Sequence, residues 1–456
     1  MARSILLLHC HDLGRFLGAY GVETVTTVHL DALAAESTVF DAAFATSPHC
    51  SPARASLFTG AYPQQHGVLG LAHEPFGWDL VDPTTHIAHR LHRQGYLTEL
   101  VGVHHESRAL DDAEIARRLG FDRVRSGGDR DIVVERTLDA LTRAAESGRP
   151  FYLQAGFHEP HREPSSRDRS GIMGFLGDSV EPDATHGVSV PSYLADTAEA
   201  QEEMAELQGA VRHMDEGVGA ILAGLDRLGL ADDTIVVFTT DHGLALPRAK
   251  CTLYDAGVGV ALFLRVPGRP AWQGRRIHQL VSHVDVVPTL LELATDDHVD
   301  DVAGTSLVPL VEHDRSPREY AFGQLTYHTY FDPKRSVRSP DAKLILNLSN
   351  APRAMDPTQS WMHRSIPIDL TGPTIGTSHV MEFYDLTADP DELVNLIEDP
   401  SRAGQVAEFA AALWEWMQET EDPLLAAAGS PRHALALSTL ERIAQTHRPA
   451  RIDLPA

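Results

Sequence analysis

Two places in the sequence set an imidazole directly beside a carboxylate. His11 and Asp12 follow an apolar run near the amino terminus, and Asp241 and His242 follow a second such run. Either pair alone is as compatible with a structural role, such as capping a helix or binding loop backbone, as with a metal site. Both pairs together, beside a cysteine and an arginine, would supply nitrogen and oxygen ligands for a divalent cation. The sequence therefore predicts a metal site.

The cysteine in question lies in the stretch "CSPARASLFTG", residues 50–60, which also contains Arg54. The other two cysteines, Cys10 and Cys251, do not give Cys50 the paired spacing of a structural zinc site or a disulfide framework. An isolated cysteine is more often an inert buried thiol. Its neighbours decide whether this one is reactive.

Several segments with strand character are separated by helical stretches, which predicts an α/β fold with a mostly parallel sheet sandwiched by helices. The potentially reactive residues follow these strands, and they include His105, His158 and His161. Ligands bind at the carboxyl ends of strands in open α/β sheets, so one site can be built from all these segments. The clearest helix is predicted over residues 201–228, where apolar residues recur every three or four positions.

A change of composition near residues 311–320 predicts a domain boundary. We expect a catalytic domain over residues 1–315 and a C-terminal α+β subdomain with a small antiparallel sheet over residues 316–456. Within the latter, "EFYDLTADPDELVNL" is interpreted as a strand, a turn and the start of a helix.

Composition and charge limit the partners. The 456 residues carry a formal net charge of −26, which argues against nucleic acid and anionic membranes as partners. No stretch approaches the length of a membrane span, and the amino terminus does not have the pattern of a signal peptide, so we expect a cytoplasmic protein. Residues 446–456 are interpreted as a loose tail or an arm that reaches a second subunit, and we expect a homo-oligomer.

"CSPARASLFTG" resembles the signature of the formylglycine-dependent sulfatases, Cys-x-Pro-x-Arg followed by Thr-Gly. Similar segments extend over nearly the whole chain, among them "TIVVFTTDHG", "KCTLYDAGVGVALFLRVPG" and "YDLTADPDELVNL". The resemblance implies an alkaline-phosphatase-like fold and hydrolysis of sulfate esters or sulfamates. It also implies that Cys50 is oxidised to formylglycine by a formylglycine-generating enzyme during maturation.

The resemblance further implies roles for individual residues. The hydrate of the modified Cys50 would be the nucleophile, and Arg54 would hold that hydrate and the sulfate. Three further residues would contact the sulfate and supply acid and base: His105, His161 and Lys250. The implied metal ligands are His11, Asp12, Cys50, Asp241 and His242.

Two positions depart from the family pattern. His11 stands where the family usually has a second aspartate, which weakens the case for calcium, the family's metal, and favours manganese or zinc. Val103 stands where a lysine normally contacts the sulfate, in "GVHH" instead of "GKWH" or "GKKH". One positive charge is therefore missing.

Two alternatives stay open beside a sulfatase of small substrates, such as aryl sulfates or a single N- or O-sulfated sugar. One is a phosphonate monoester or phosphodiester hydrolase of the same superfamily, and we expect the sulfatase itself to have measurable side activity on these phosphorus esters. The other is an unconverted sulfatase-like protein that only binds sulfated ligands.

Overall fold

The apolar run at the amino terminus forms the central strand of a large sheet. In the computed structural model, which describes residues 3–108, 111–164, 173–178, 180–355, 358–370, 375–426 and 429–447, strand β1 spans Ser4–Cys10. Ile5 and Leu7 enter one hydrophobic core, whereas Leu6 and Leu8 enter a second core on the opposite face. Because both faces of the sheet are covered, the strand is apolar at almost every position.

The large sheet contains eight strands in the order β5-β4-β6-β1-β7-β8-β2-β9. Only β8 runs antiparallel to its neighbours, so the sheet is mostly parallel, as predicted. Besides β1, its strands are β2 (Thr38–Phe40), β4 (Leu97–Gly102), β5 (Arg123–Ser126), β6 (Phe151–Gly156), β7 (Thr234–Thr240), β8 (Leu262–Arg265) and β9 (Arg275–Ile277). A parallel two-stranded ribbon pairs β3 (Ala43–Phe44) with β10 (Val281–Ser282).

Helices cover both faces of this sheet. The helix predicted over residues 201–228 is α7, which spans Ala198–Arg227 and contributes a row of buried apolar side chains to one core. The other helices before the second sheet are α1 (Val28–Ala35), α2 (Cys50–Thr59), α3 (Pro63–His66), α4 (Ile87–Arg93), α5 (Asp112–Leu119), α6 (Arg130–Ser147), α8 (Asp255–Val258), α9 (Val286–Thr295) and α10 (Val308–His313).

A second, antiparallel sheet follows in the carboxyl-terminal part of the chain. Its four strands pair in sequence order: β11 (Ala321–Tyr327), β12 (Phe331–Arg338), β13 (Ala342–Asn347) and β14 (Met381–Asp385). Helices α12 (Ala403–Glu419) and α13 (Pro431–His447) share a hydrophobic core with it, and the short α11 spans Thr358–Trp361. The predicted fold class is thus confirmed. The boundary at residue 315 stays a prediction.

One local prediction was wrong. The segment after β14 forms turns rather than the start of a helix, and the next long helix, α12, begins only at Ala403. The Asp385 carboxylate accepts hydrogen bonds from the backbone N–H groups of Thr387 and Ala388, and Asp389 accepts one from Val394. Such short-range bonds from aspartate compete with helical hydrogen bonding. Residues 448–456, most of the predicted tail or arm, lie outside the described part of the chain.

The chain has three lysines, and all of them are buried and paired with carboxylates. Lys343 of β13 contacts Asp255 and Glu392, at 2.5 and 2.8 Å, and Lys334 of β12 lies 2.7 Å from Asp332. The third is Lys250, which belongs to the site described below. Among the described residues, no helix is long and apolar enough to cross a membrane.

Candidate active site

Cys50 is the first residue of α2 and lies near the residues that follow the carboxyl ends of β1 and β7. His49 before it is extended, and Gly60 ends the helix with a left-handed φ of 73°. The Cys50 side chain is buried. Its Sγ lies 3.5 Å from Nε2 of His242 and 3.8 Å from Nζ of Lys250. A helix amino terminus and neighbouring cations stabilise negative charge at this position.

The two predicted imidazole and carboxylate pairs meet beside Cys50. Asp12 Oδ1 lies 2.9 Å from His242 Nε2, and His11 Nδ1 lies 3.2 Å from Asp241 Oδ2. The Asp241 Oδ1 atom accepts the backbone N–H of Asp12 and that of His242, both at 2.9 Å. These bonds tie the loop after β1 to the loop after β7.

The donor set fits a divalent cation. Ligand atoms from His11, Asp12, Cys50 and Asp241 all lie within 4.8 Å of one another, and all four residues are buried. Nε2 of His11 has no hydrogen-bond partner among the described residues, although the ring is fully buried. Buried polar atoms rarely stay unpaired in proteins, and two carboxylates beside an imidazole are suitable metal ligands.

Charge in the site is concentrated on the carboxylates. Burial opposes ionisation of Asp12, but the ammonium of Lys250 and nearby imidazoles outweigh it and keep the pKa of Asp12 well below its usual value. Burial also opposes protonation of His242, yet Asp241 and Asp12 raise the pKa of His242 to about 10. A cation binding here would have to displace that proton, since a metal-bound imidazole is neutral.

Arg54 lies one turn after Cys50 on α2 and is fully buried. Its guanidinium donates hydrogen bonds to Asp241 Oδ2 at 3.0 Å, to the carbonyl oxygen of Cys10 at 3.1 Å and to Nδ1 of His9. The Nε–H has no partner among the described residues. A positive charge fixed in this way can hold an anion beside Cys50.

Lys250 contacts the other carboxylate of the site, that of Asp12. Its Nζ donates to both oxygens of Asp12, at 2.9 and 2.8 Å. Burial favours the neutral amine, but Asp12 raises the pKa of Lys250 above its usual value, so the ammonium persists. The site therefore contains two cations, Lys250 beside the Cys50 sulfur and Arg54 one turn further along α2.

His105 and His161 surround His11. Their ring centroids lie 5.2 and 5.1 Å from that of His11, and His161 Nε2 lies 3.6 Å from Asp12 Oδ2. Burial lowers the pKa of His161 to about 4 and, together with Arg54, keeps the pKa of His105 well below its usual value. Both rings are therefore neutral near pH 7 and able to accept a proton.

The backbone at this edge of the sheet is unusual. Asp12 and His105 each follow a strand and adopt left-handed φ values of 51° and 54°. For residues other than glycine, such conformations cost free energy and concentrate at functional sites. Gly243, after the Asp241–His242 pair, has no room for a side chain, because a Cβ would lie 1.8 Å from the carbonyl oxygen of Ala256.

The remaining sequence-predicted residues lie around this centre. The His158 ring is 4.9 Å from that of His161, and the His104 ring is 6.3 Å from that of His105. Val103 is buried, and its backbone N–H donates to the carbonyl oxygen of Gly156.

Sequence reasoning missed His9 and His49. His9 contacts Arg54, and His49, which precedes Cys50, is fully buried. Within the described ranges, no group forms a hydrogen bond with the ring nitrogens of His49. The position of His9 inside the apolar run "ILLLHC" indicates a buried imidazole, and a buried polar group needs a partner.

Cys50, the two acidic loops and the cations of Arg54 and Lys250 meet in one place, where a metal ion and a small anion could bind together. The family model of the sulfatases, described as "Sulfatase", matches residues 5–296. The chain belongs to the sulfatase family. It is therefore a sulfuric ester hydrolase, as predicted, and the family implies a divalent metal and a formylglycine.

Similar proteins cover almost the whole chain. Human N-sulphoglucosamine sulphohydrolase is 30% identical over 93% of this chain and 92% of its own length. Human arylsulfatase A is 25% identical over 86% of this chain and 83% of its own length. The resemblance inferred from the motifs is thus confirmed.

Solved structures agree on the fold. A chain determined in complex with its substrate D-glucosamine-2-N,6-O-disulfate superposes with a TM-score of 0.68 at 18% identity, covering 92% of this chain and 99% of that one. A phosphonate monoester hydrolase from Silicibacter pomeroyi superposes with a TM-score of 0.66 at 19% identity, over 92% and 96%. The same architecture therefore accompanies both chemistries, and the fold alone does not separate them.

Proposed function

We propose that this sulfatase hydrolyses small sulfate esters or sulfamates, with an aryl group or a single N- or O-sulfated sugar as the leaving part. The observation that carries this proposal is the position of Cys50 at the start of α2, beside the Lys250 ammonium and the Asp12 and Asp241 carboxylates, with Arg54 bound to Asp241. A sulfate monoester is a small anion, and its negative charge needs cations of this kind in a buried site.

The nucleophile derives from Cys50 after oxidation to formylglycine. The hydrate of that aldehyde supplies one hydroxyl to attack sulfur and a second hydroxyl whose loss of a proton later expels sulfate. Arg54 orients the attacked group, because its guanidinium is held rigidly by Asp241 and the backbone of Cys10. An orientation fixed before the reaction lowers the entropic part of the barrier.

Acid and base are divided between residues by their charge. We assign the base to His105, because its neutral ring can accept the proton of the second hydroxyl. Lys250 is the proton donor to the leaving oxygen or nitrogen, since it is the group held protonated. His161, with its pKa near 4, is assigned a hydrogen-bonding role to the sulfate. Proton transfer of this kind contributes about 10²–10⁴-fold in rate.

The proposed metal ligands are His11, Asp12, Asp241, His242 and the oxygen that replaces the Cys50 sulfur. A divalent cation bound there supplies Lewis-acid stabilisation of charge on the sulfate oxygens. His11 in place of a second aspartate reduces the negative charge of the site, which favours manganese or zinc over calcium.

The substrate is proposed to be small because the protein carries a net charge of −26. A long polyanion would be repelled over its whole length, whereas a small anion responds mainly to the local cations once salt screens charges beyond about 8 Å. The human relative named for N-sulphoglucosamine supports an N-sulfated sugar as the first substrate to test.

A panel of substrates tests this proposal. Enzyme with Cys50 converted is compared by kcat/KM on 4-nitrophenyl sulfate, N-sulfoglucosamine, a phenyl phosphonate monoester and a phosphodiester. We expect a sulfate or sulfamate to be preferred, with measurable turnover of the phosphorus esters. If a phosphorus ester is preferred over every sulfate, the chain is instead a phosphonate or phosphodiester hydrolase.

We also propose a reducing, cytoplasmic setting, a formylglycine-generating enzyme as the maturation partner, and a homo-oligomer. The three cysteines are buried thiols, which suits a reducing compartment. Cell fractionation tests the compartment, and sedimentation of the purified protein tests the oligomer.

A further inference from the structure

The Cys50 thiol shares its position with atoms that bind metals. Sγ of Cys50 and a ring nitrogen of His11 belong to two overlapping groups whose ligand atoms lie within 4.8 Å of one another. One group adds the carboxylates of Asp12 and Asp241, and the other adds His105. Before maturation, therefore, a sulfur ligand occupies the place that an oxygen ligand takes afterwards.

Two of these partners offer ring nitrogens to a metal. Nε2 of the fully buried His11 and the buried Nδ1 of His105 have no hydrogen-bond partner among the described residues, whereas Nδ1 of His11 lies 3.2 Å from Asp241 Oδ2. A buried ring nitrogen rarely stays unpaired, and imidazole nitrogen is a common metal ligand.

Positive charge lies close to Cys50 Sγ. Nζ of Lys250 lies 3.8 Å from the sulfur, and Cys50 is the first residue of α2, which spans Cys50–Thr59. The ammonium of Lys250 does not block Asp12, because a carboxylate offers about four lone-pair positions.

We propose that the chain whose Cys50 is still a thiol is a zinc-binding protein, with Zn²⁺ held by the Cys50 thiolate, His11, Asp12 and Asp241. One sulfur, one imidazole and two carboxylates are a tetrahedral ligand set typical of zinc. Zn²⁺ takes the place of the thiol proton, which passes to solvent. His105, which forms the second group with His11 and Cys50, is an alternative ligand to a carboxylate.

Conversion of Cys50 weakens the preference for zinc. The sulfur is lost from the ligand set and an oxygen replaces it, which shifts the site towards harder cations. We therefore expect the unconverted chain to bind Zn²⁺ more tightly than the mature protein does. Only this comparison rests on the proposed conversion of Cys50.

The test uses full-length chain produced without a formylglycine-generating enzyme, with the free thiol verified by peptide mass spectrometry. The protein is stripped of metal, and Zn²⁺ is titrated in competition with a chromophoric chelator. Loss of an outer-shell partner alone costs about 10–100-fold in metal affinity, so we expect Cys50→Ser to bind Zn²⁺ at least about 100-fold more weakly. Cys251→Ser, which removes a second buried thiol, is the matched control and should bind like wild type.

A second measurement does not depend on the folding of any variant. Loading the thiol form with Co²⁺ should give a near-ultraviolet absorption from charge transfer between sulfur and cobalt, and the converted protein should lack it. Equal Zn²⁺ affinity in wild type and Cys50→Ser, or no such band in wild type, would overturn the proposal. The substrate panel is run separately on converted enzyme, so failure of the zinc site leaves the sulfatase proposal standing, and the reverse also holds.

Discussion

The guanidinium of Arg54 donates a hydrogen bond to Nδ1 of His9, the penultimate residue of β1. An arginine cannot accept, so this nitrogen of His9 carries no proton. Burial and the charge of Arg54 keep the pKa of His9 well below its usual value, which is consistent with a neutral ring. Since Ile5 and Leu7 face the core beside α2, the alternation of the strand directs His9 towards that helix as well.

We predict that His9→Leu lowers kcat because it leaves a buried N–H of Arg54 unpaired. Such a group costs about 1–3 kcal/mol, which corresponds to a decrease of about 5- to 160-fold when the whole cost falls on the transition state. His9→Asn, whose side-chain oxygen can replace Nδ1 as acceptor, should restore most of the rate. Steady-state kinetics that separate kcat from KM, together with thermal unfolding, give the readout. Unchanged kcat in a folded His9→Leu protein would mean that Arg54 is positioned without His9.

Coexpression with a formylglycine-generating enzyme should convert Cys50, and Cys50→Ala should abolish turnover while the fold is retained. The side chain is buried at the start of α2 and small, so its truncation leaves little space unfilled. Peptide mass spectrometry measures conversion, and circular dichroism checks the fold. Full activity in protein that carries only the thiol would rule out the aldehyde mechanism.

Removal of divalent metal should abolish the activity of mature enzyme, and manganese or zinc should restore more activity than calcium. His11→Asp should shift this preference towards calcium, because it replaces a nitrogen ligand with a hard oxygen and adds negative charge. Metal analysis, chelation and add-back of each cation measure the effect. If calcium alone restores full activity in the wild type, the interpretation of His11 is wrong.

Lys250→Met should lower kcat by about 10²–10⁴-fold through loss of the proposed proton donor and of a cation beside the sulfate. Lys343→Met removes another buried lysine, one that contacts Asp255 and Glu392 far along the chain from the nucleophile. It should lower the melting temperature and leave kcat of the folded fraction near that of wild type. Equal losses of kcat in the two variants would show that Lys250 acts only through stability.

Val103→Lys should change the ranking of substrates, because an added ammonium interacts differently with a sulfate and with a monoanionic diester. Val103→Met, which adds length without charge, is the control for the change of shape at this buried position. The ratio of kcat/KM for 4-nitrophenyl sulfate and a phosphodiester is the measurement. A ratio that is the same in all three proteins places residue 103 outside the substrate pocket.

The strands, the main helix and the meeting of distant loops could be predicted because each depends on local periodicity or on a general property of parallel sheets. β1 and β7 lie beside each other, so the loops that follow them meet, and the backbone N–H of Asp12 donates a hydrogen bond to Oδ1 of Asp241. The contact between His9 and Arg54 could not be predicted, since it depends on how α2 packs on β1. The helix expected after β14 was also mispredicted. Aspartate side chains there accept hydrogen bonds from backbone N–H groups, and these bonds compete with the hydrogen bonds of a helix.

All three lysines, Lys250, Lys334 and Lys343, are buried in ion pairs, and arginine alone supplies the permanent side-chain cations of the surface. Amine-reactive reagents therefore have no exposed lysine side chain to modify in the folded protein. Acylation of Lys334 or Lys343 therefore reports unfolding. Acylation of Lys250 in otherwise folded protein reports opening of the active site. Immobilisation or cross-linking through lysine would therefore select unfolded molecules. Coupling through carboxylates suits the folded protein better, because the chain contains 64 aspartates and glutamates.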